Sequence, residues 1–338
     1  MLRLVVLRTG VAVATLLAIS VVVFGATEAL PGDVANAVLG RNATPGSLAL
    51  IRDRLHLEQS LPHRYASWLW NMLHGDAGTS LAATASSGGL QASTPSVITA
   101  KQAAVPKGVS VTSLIGYRIR NTAVLAGITS LLLIPLSLLL GTFAALRAQR
   151  LTDHAISMLT LIVGAMPEFV VGTVLVLLFA VTWQLLPATS LVSEAHTIGQ
   201  EARYLVLPVV TLLASMLAQT TRMVRAGVRA VSESDYVQMA RLSGLRESVV
   251  LRRYILRNSL NTTIQVYAIS VAWMFGGIVI VETVFQYPGL GSGLVDAVSA
   301  RDIPVVQAIC LLIAAVYIVI NLLADMLTYF LTPKLRTA

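Results

Sequence analysis

Six long apolar runs divide the chain, and polar segments of unequal length separate them. The runs are Val11–Ala26, Thr122–Leu146, Ala155–Trp183, Tyr204–Val224, Ile264–Phe285 and Pro304–Leu331. About 20 mostly apolar residues are needed to cross the hydrocarbon core of a bilayer. Because no water is available there to satisfy an open backbone, such a run must be helical. The pattern therefore predicts an all-α integral membrane protein with six transmembrane helices and both termini on the same side.

The first run follows Arg3 and Arg8, so a cleaved signal peptide is the alternative to a membrane span. Signal peptides have apolar cores of about 7–15 residues. Val11–Ala26 stands at the upper limit of that range, and the chain later crosses the membrane repeatedly. We therefore interpret residues 1–30 as an uncleaved N-terminal transmembrane helix.

Residues 31–120 form the first long polar segment and are predicted to be an external loop or subdomain. Within it, residues 81–109 are rich in Ala, Ser, Thr and Gly, a composition that buries too little apolar surface to fix a conformation. We expect a flexible surface loop there. Residues 121–331 follow as the transmembrane core, and residues 332–338 are predicted to be a short cytoplasmic tail.

A second long polar segment, residues 225–261, lies inside the core region, carries many Arg residues and contains no Pro. It is predicted to be helical. Tyr236, Ala240 and Gly244 are spaced i, i+4 and i+8 and would share one helix face, where the small residues would let another surface approach closely. The alternative is an ordinary amphipathic helix that lies on the lipid surface.

Composition and charge agree with this topology. Hydrophobic residues make up 56% of the chain and charged residues only 12%, with a net charge of +8, whereas soluble domains are about 25% charged. A soluble enzyme is therefore not expected, and neither is a nucleic-acid partner, because the basic residues lie between the apolar runs. Lys and Arg collect in cytoplasmic loops of membrane proteins. The Arg-rich segment 225–261 and both termini would then face the cytoplasm.

No catalytic constellation is recognisable in the sequence. It contains no P-loop, HExxH or GxSxG motif, and its one cysteine, Cys310, excludes an internal disulfide. Three carboxylates, Glu168, Glu282 and Asp325, lie at membrane depth, where a buried charge is costly and usually functional. Glu168 follows Pro167 and would face either a transport pathway or a neighbouring helix. Glu282 would face the pathway or reach the headgroups, and Asp325 would pair with a nearby Arg.

One stretch of the second polar segment carries a family resemblance. Residues 235–245 read DYVQMARLSGL, and LRNSL follows at residues 256–260. This stretch resembles the cytoplasmic "EAA" loop of binding-protein-dependent ABC importer permeases. More narrowly, it is similar to the form found in one branch of the dipeptide/oligopeptide permease family, that of the B-type permeases.

Shorter motifs along nearly the whole chain have the order and spacing of the same family. They are LPGD at 30–33, LHLEQSL at 55–61, GDAGTS at 75–80, ETVFQYPGLG at 282–291, RDIPVVQ at 301–307 and NLLAD at 321–325. Each motif is weak by itself, but the ordered set is specific. The sequence departs from the family pattern at an expanded segment, 82–109, at Leu260-Asn261 where Ile-Pro is usual, and at His56 where Gly is usual.

The resemblance implies the fold of a type I ABC importer permease, a non-catalytic subunit that forms half of a translocation pathway for di- and oligopeptides. The implied partners are a second homologous permease subunit, two cytoplasmic ABC ATPases and an extracytoplasmic substrate-binding protein, all at a bacterial inner membrane. ATP and Mg²⁺ would be bound by the ATPases, so the chain itself is expected to hold no cofactor or metal. Nickel or glutathione is the alternative cargo, and an ion-coupled carrier or channel is the alternative function.

The same resemblance implies the site residues. Those of the ATPase-coupling site are Asp235, Tyr236, Ala240, Arg241 and Gly244. Within this set, Asp235 would be the N-cap of a short coupling helix, and Arg241 would make charge-assisted bonds to the partner. The family motif near the outer gate contributes Pro288, Gly289 and Gly291.

Overall fold

The computed structural model of the chain describes residues 2–29, 59–84, 109–190 and 198–331. In chain order, its α-helices in these ranges are α1 (Leu2–Glu28), α2 (Leu61–Leu73), α3 (Leu81–Thr84), α4 (Val111–Leu146), α5 (Leu151–Ala165), α6 (Glu168–Leu175), α7 (Ile198–Ser232), α8 (Asp235–Leu242), α9 (Glu247–Val249), α10 (Arg257–Val284), α11 (Leu290–Ser299) and α12 (Ile303–Leu331). Two π-helical segments, Val176–Thr182 and Val250–Leu256, continue α6 and α9. The predicted all-α class is confirmed.

Five of the described helical segments are long and apolar enough to cross a membrane. They are Val5–Glu28, Val111–Leu146, Ala202–Ser232, Val266–Val284 and Ile303–Leu327. A further candidate is the pair Leu151–Ala165 and Glu168–Thr182, which is bent by 104° at its break. By length and composition the helices therefore match the six predicted spans if the bent pair counts as one span.

The break in the bent pair lies at Pro167. Met166, the residue before it, is extended, with φ −84° and ψ 133°, because the proline ring disfavours helical backbone in the preceding residue. Pro167 then occupies the N-cap position of α6. By contrast, Pro135 and Pro208 lie inside continuous helices, α4 and α7.

The described residues fall into two compact units. The first takes its residues from Met1–Ala12, Asn121–Ser292 and Val316–Ala338, and the second from Val13–Arg120 and Gly293–Ala315. In the first unit, α7 and α10 contribute to both apolar clusters of the core. One cluster is made of Leu125, Ala126, Leu205, Leu207, Val209, Leu212, Met274, Ile278, Val281, Phe285 and Tyr287. The other is made of Leu133, Val224, Val228, Val237, Ala240, Val250, Ile255 and Tyr267.

Ion pairs also tie helices of the first unit together. Arg225 of α7 donates from Nε and Nη2 to both carboxylate oxygens of Asp153 in α5, at 2.6 and 2.7 Å. The Asp153 side chain is only 5% exposed, and it also accepts a 3.0 Å hydrogen bond from the backbone N–H of Gln149.

Arg8 pairs with Asp325 at 2.6 Å, where both side chains are exposed. The pairing predicted for Asp325 is thus confirmed.

In the second unit, the later half of α1 packs on α2. Phe24, Tyr65 and Trp68 form an aromatic cluster with ring centroids 5.5 to 6.0 Å apart. Arg64 pairs with Glu28 at 2.6 Å beside this cluster. Helix α2 of the predicted external segment therefore packs directly against α1.

A neck in the second unit brings together the two ends of the expanded segment. The backbone N–H of Ser80 donates to the carbonyl of Val109 at 2.9 Å, and that of Val111 donates to the carbonyl of Gly78 at 3.0 Å. An antiparallel β-bridge joins the neighbouring residues on the two sides of the neck. The Ser80 hydroxyl also donates to the carboxylate of Asp302.

Some predictions concern residues that the structure does not describe. Residues 81–84 of the predicted flexible loop form α3, whereas residues 85–108 lie outside the described residues. The same holds for residues 31–58 of the external segment and for the tail at 332–338.

Candidate functional site

The polar segment 225–261 is helical, as predicted, but it is broken before and after α8. Ser234 occupies the N-cap position of α8 with extended backbone, φ −72° and ψ 149°. Its carbonyl accepts the first backbone hydrogen bonds, from the N–H groups of Val237 and Gln238. The prediction that Asp235 is the N-cap is therefore wrong by one residue. Asp235 lies in the first turn instead, where its negative charge suits the helix N-terminus.

One side of α8 is buried in the first unit. Val237 is 0% and Ala240 is 6% exposed, and both belong to the apolar cluster that also contains Val224 and Val228 of α7. Tyr236, however, is 45% exposed. The prediction that Tyr236 and Ala240 form one accessible stripe is therefore wrong. Four residues advance a helix by about 40° more than one full turn. This rotation turns Ala240 toward the core.

The other side of α8 and the loop after it expose apolar side chains. We call the surface formed by Tyr236, Met239, Leu242 and Leu245 the coupling surface. Met239 is 64% and Leu242 is 83% exposed. The prediction from sequence missed both, although two large apolar residues three positions apart in an Arg-rich segment were a usable signal.

Gly244 ends α8 and does not extend its face. Its φ is +75°, a left-handed backbone conformation that glycine adopts without steric cost. The N–H of Gly244 donates to the carbonyl of Arg241 at 3.0 Å, and the N–H of Leu245 donates to that of Ala240 at 3.4 Å. This pair of bonds is the Schellman arrangement of helix C-termini. The i+8 position predicted for Gly244 on the helix face is therefore wrong, since the helix stops at Leu242.

Arg241 pairs within its own segment. Its Nη2 and Nε lie 2.8 and 3.2 Å from the two carboxylate oxygens of Glu247. The hydrogen bonds from Arg241 lower the pKa of Glu247, so this carboxylate stays ionised at neutral pH. The ion pair closes the loop between α8 and α9. The charge-assisted bonds from Arg241 to a partner, which the resemblance implied, stay a prediction.

Glu282 is fully buried and holds the turn that carries Pro288, Gly289 and Gly291, the motif predicted to lie near the outer gate. Its Oε2 accepts hydrogen bonds from the backbone N–H groups of Gly291 (2.7 Å) and Ser292 (3.1 Å). Its Oε1 accepts a 2.6 Å hydrogen bond from the hydroxyl of Thr122. These two N–H groups lie in the first turn of α11 and have no partner within that helix. The carboxylate, on the preceding helix α10, caps them. Glu282 does not line an open pathway in this conformation.

Pro288, Gly289 and Gly291 are brought together in this turn. Asn121 donates a 2.9 Å hydrogen bond from its side-chain amide to the carbonyl of Pro288. A Cβ on Gly289 would collide with the Glu282 carboxylate, and one on Gly291 would lie 2.5 Å from the Cα of Val279. The glycines are therefore required by close packing.

Glu168 lies in the first turn of α6, directly after the break at Pro167. The side chain is half-buried, and its carboxylate lies over Gly277 of α10, in the space that a Cβ there would occupy. No residue that the structure describes donates a hydrogen bond to this carboxylate or forms an ion pair with it.

Within the described ranges, no three His, Cys, Asp or Glu side chains come together as a metal site.

Comparison with protein families finds two matching models. Residues 137–337 match the binding-protein-dependent transport system inner membrane component, and residues 1–112 match the N-terminal part of the membrane component of such systems. The chain belongs to this family of inner-membrane permeases. The permease is therefore a multi-pass membrane subunit of a transport system that depends on a binding protein.

Three relatives resemble the permease over nearly its whole length. A probable peptide ABC transporter permease of Sinorhizobium fredii is 30% identical over 96% of both chains. The glutathione transport system permease of Pectobacterium atrosepticum is 32% identical over 95% of both chains. The dipeptide transport system permease of Escherichia coli is 28% identical over 99% of both chains. The resemblance to dipeptide and oligopeptide ABC importer permeases is thus confirmed.

Proposed function

We propose that this permease is one of two membrane subunits of an ATP-driven importer of small peptides, and that its coupling surface docks on a cytoplasmic ATPase. The observation that carries the proposal is the coupling surface itself. Met239 and Leu242 are exposed on α8, while Val237 and Ala240 anchor the same helix in the core of the first unit. Exposed apolar patches of this kind mark interaction sites, and the buried anchor would pass a movement of the partner to the spans.

The proposed orientation places both termini and the coupling surface in the cytoplasm. It is supported by the charge distribution, since the inner segments would carry the Arg-rich stretch 225–261 whereas the short outer loops carry Arg203 and Arg301. Short cytoplasmic loops are enriched in Lys and Arg. ATP and Mg²⁺ would then bind to the ATPases on that side, and a substrate-binding protein would dock on the opposite side.

The second permease subunit would pack near α10 and enclose the pathway with it. Although α10 is central to the core of the first unit, it leaves one face open. The exposed residues of this face are Ile269, Trp273, Gly276, Ile280 and Thr283. Successive residues of this face are alternately four and three positions apart, a spacing typical of helices that pack lengthwise against each other. We propose that this face borders the translocation pathway.

Small peptides are the proposed cargo because the names of the relatives agree on this class. Peptide and dipeptide permeases are among them. Glutathione, the cargo in the name of the relative from Pectobacterium atrosepticum, is itself a tripeptide and is the second candidate.

Co-purification in mild detergent tests the docking proposal. We expect an ATP-hydrolysing protein to co-purify with the permease. Leu242→Asp should reduce its yield and ATP-driven peptide uptake at least tenfold, since a charge would replace the apolar contact that the docked ATPase would bury. Leu151→Asp is the matched control, because Leu151 is 90% exposed at the start of α5 and lies outside the coupling surface.

Two results would contradict the proposal. One is full ATPase recovery and uptake with Leu242→Asp. The other is peptide uptake into proteoliposomes by the permease alone, without ATP, which would favour an ion-coupled carrier.

A further inference from the structure

The Glu168 carboxylate lies inside a candidate membrane-spanning segment, directly after the 104° break between α5 and α6. A charged side chain at this depth is costly unless it is paired. Among the residues that the structure describes, none pairs with it. A cation from outside this part of the chain would remove that cost.

The position of the carboxylate is built into the packing of α6 on α10. The carboxylate fills the space above Gly277, where a Cβ would collide with it. Gly276, the next residue on α10, belongs to the open face, and a Cβ there would have no atom within 4 Å. Glu168 is therefore held at the edge of the α10 face that we propose borders the pathway.

The local backbone favours an anion at this point. Glu168 is the first residue of α6, and the N-terminus of a helix stabilises a negative side chain. Nearby Met166 and Phe169 are 42% and 51% exposed. The surroundings thus present one negative group among apolar side chains on an accessible surface.

We propose that Glu168 binds the α-ammonium group of a peptide as the peptide moves along the pathway. This inference rests on the proposed function. The α-ammonium group is the cation that all peptides with a free N-terminus share, whatever their side chains. A single carboxylate beside apolar residues would hold this common group and still accept many peptide sequences.

Uptake of radiolabelled dialanine by the complete importer in proteoliposomes tests the inference. Glu168→Gln preserves the shape of the side chain but removes its charge, and a charge-assisted hydrogen bond corresponds to roughly a 10- to 100-fold effect. We expect at least a tenfold loss of uptake per ATP hydrolysed, with ATPase activity and subunit recovery unchanged. Gly277→Ala should also lower uptake because it displaces the carboxylate. Gly127→Ala in α4, where a Cβ would meet no atom within 4 Å, is the matched control and should transport normally.

A charge-restoration experiment separates recognition of the cation from a merely structural role. In a Cys310→Ser background, Glu168→Cys is treated with a thiol reagent that attaches a sulfonate or with one that attaches an ammonium. We expect the sulfonate to restore uptake and the ammonium to leave it low. Equal uptake with both reagents would overturn the inference.

Other outcomes also decide between the proposals. Normal uptake by Glu168→Gln would overturn the role of Glu168. Loss of the second permease or the ATPase from purified Glu168→Gln complexes would overturn it too, because it would assign the carboxylate to a subunit contact. Absence of ATP-driven uptake of both dialanine and glutathione by the wild-type importer would instead contradict the proposed function.

Discussion

Thr122 and Glu282 lie 160 residues apart in the chain, and their buried side chains are joined by a 2.6 Å hydrogen bond. Thr122 Oγ1 also accepts a 2.8 Å hydrogen bond from the backbone N–H of Leu290. Glu282 accepts two further backbone hydrogen bonds from the first turn of α11. Together the two side chains hold this first turn to α4 and α10.

Glu282→Ala should destabilise the permease strongly. It would leave the Thr122 hydroxyl and the N–H groups of Gly291 and Ser292 without their carboxylate acceptor, and each buried unpaired donor costs about 1–3 kcal/mol. We expect a loss of about 3 kcal/mol or more, measured by thermal denaturation in detergent. Thr283→Ala is the control, since Thr283 is exposed and its hydroxyl donates to the carbonyl of Val279 in the same helix. An unchanged melting temperature for Glu282→Ala would contradict the capping role.

Gly291→Ala should also lower stability, for a steric reason. The added Cβ would lie 2.5 Å from the backbone Cα of Val279, and backbone yields less readily than a flexible side chain. Gly127→Ala in α4 is the matched control, because a Cβ there meets nothing within 4 Å. Since Ala is favoured over Gly by about 1 kcal/mol inside a helix, the control should melt at the same or a higher temperature. Equal melting of both variants would refute the packing explanation.

Asp153→Asn should weaken the link between α5 and α7. Removing one partner of a buried ion pair costs about 3–5 kcal/mol, and because the Arg225 side chain is 27% exposed we expect the lower part of that range. The control is Glu233→Gln, which breaks the exposed pair with Arg229 and should change stability by less than about 0.5 kcal/mol. Denaturation by heat or urea would measure both. Similar losses of stability in the two variants would contradict the explanation that burial makes the Asp153–Arg225 pair the stronger one.

Substitutions at Gly244 should rank by backbone conformation and not by size. Its φ of +75° costs a non-glycine residue about 1–2 kcal/mol, with Asn tolerated best. We therefore expect ATPase co-purification to fall in the order wild type, Gly244→Asn, Gly244→Ala. If close approach of a partner were the sole requirement, the larger Asn would be worse than Ala. The reverse order would thus indicate a steric role.

Replacing residues 86–107 with a short Gly-Ser linker should leave assembly and uptake intact. The neck already holds Ser80 and Val109 together by a 2.9 Å backbone hydrogen bond, and a shorter loop costs less closure entropy. Asp302→Ala, which removes the acceptor of the Ser80 hydroxyl, should by contrast lower stability. Loss of uptake with the linker and an intact complex would assign the replaced residues a direct role in transport.

The spans were predictable because they depend on local composition. Each apolar run must become a helix in lipid, whatever it packs against, and the break at Pro167 also follows from a local rule on the residue before proline. The ordered motifs were sufficient to assign the family. The apolar coupling surface was partly readable as well, because Met239 and Leu242 stand out among polar neighbours.

Tertiary structure decided which side of each element is used and which distant groups meet. Spacing placed Tyr236 and Ala240 on one face, but packing against α7 buries Ala240 and leaves Met239 and Leu242 exposed. The role of Glu282 depends on Thr122, which is 160 residues away. Sequence alone therefore determined the helices and the family, because these follow from short-range physics and ordered motifs. The partners of the buried carboxylates required the folded chain, because long-range packing selects them.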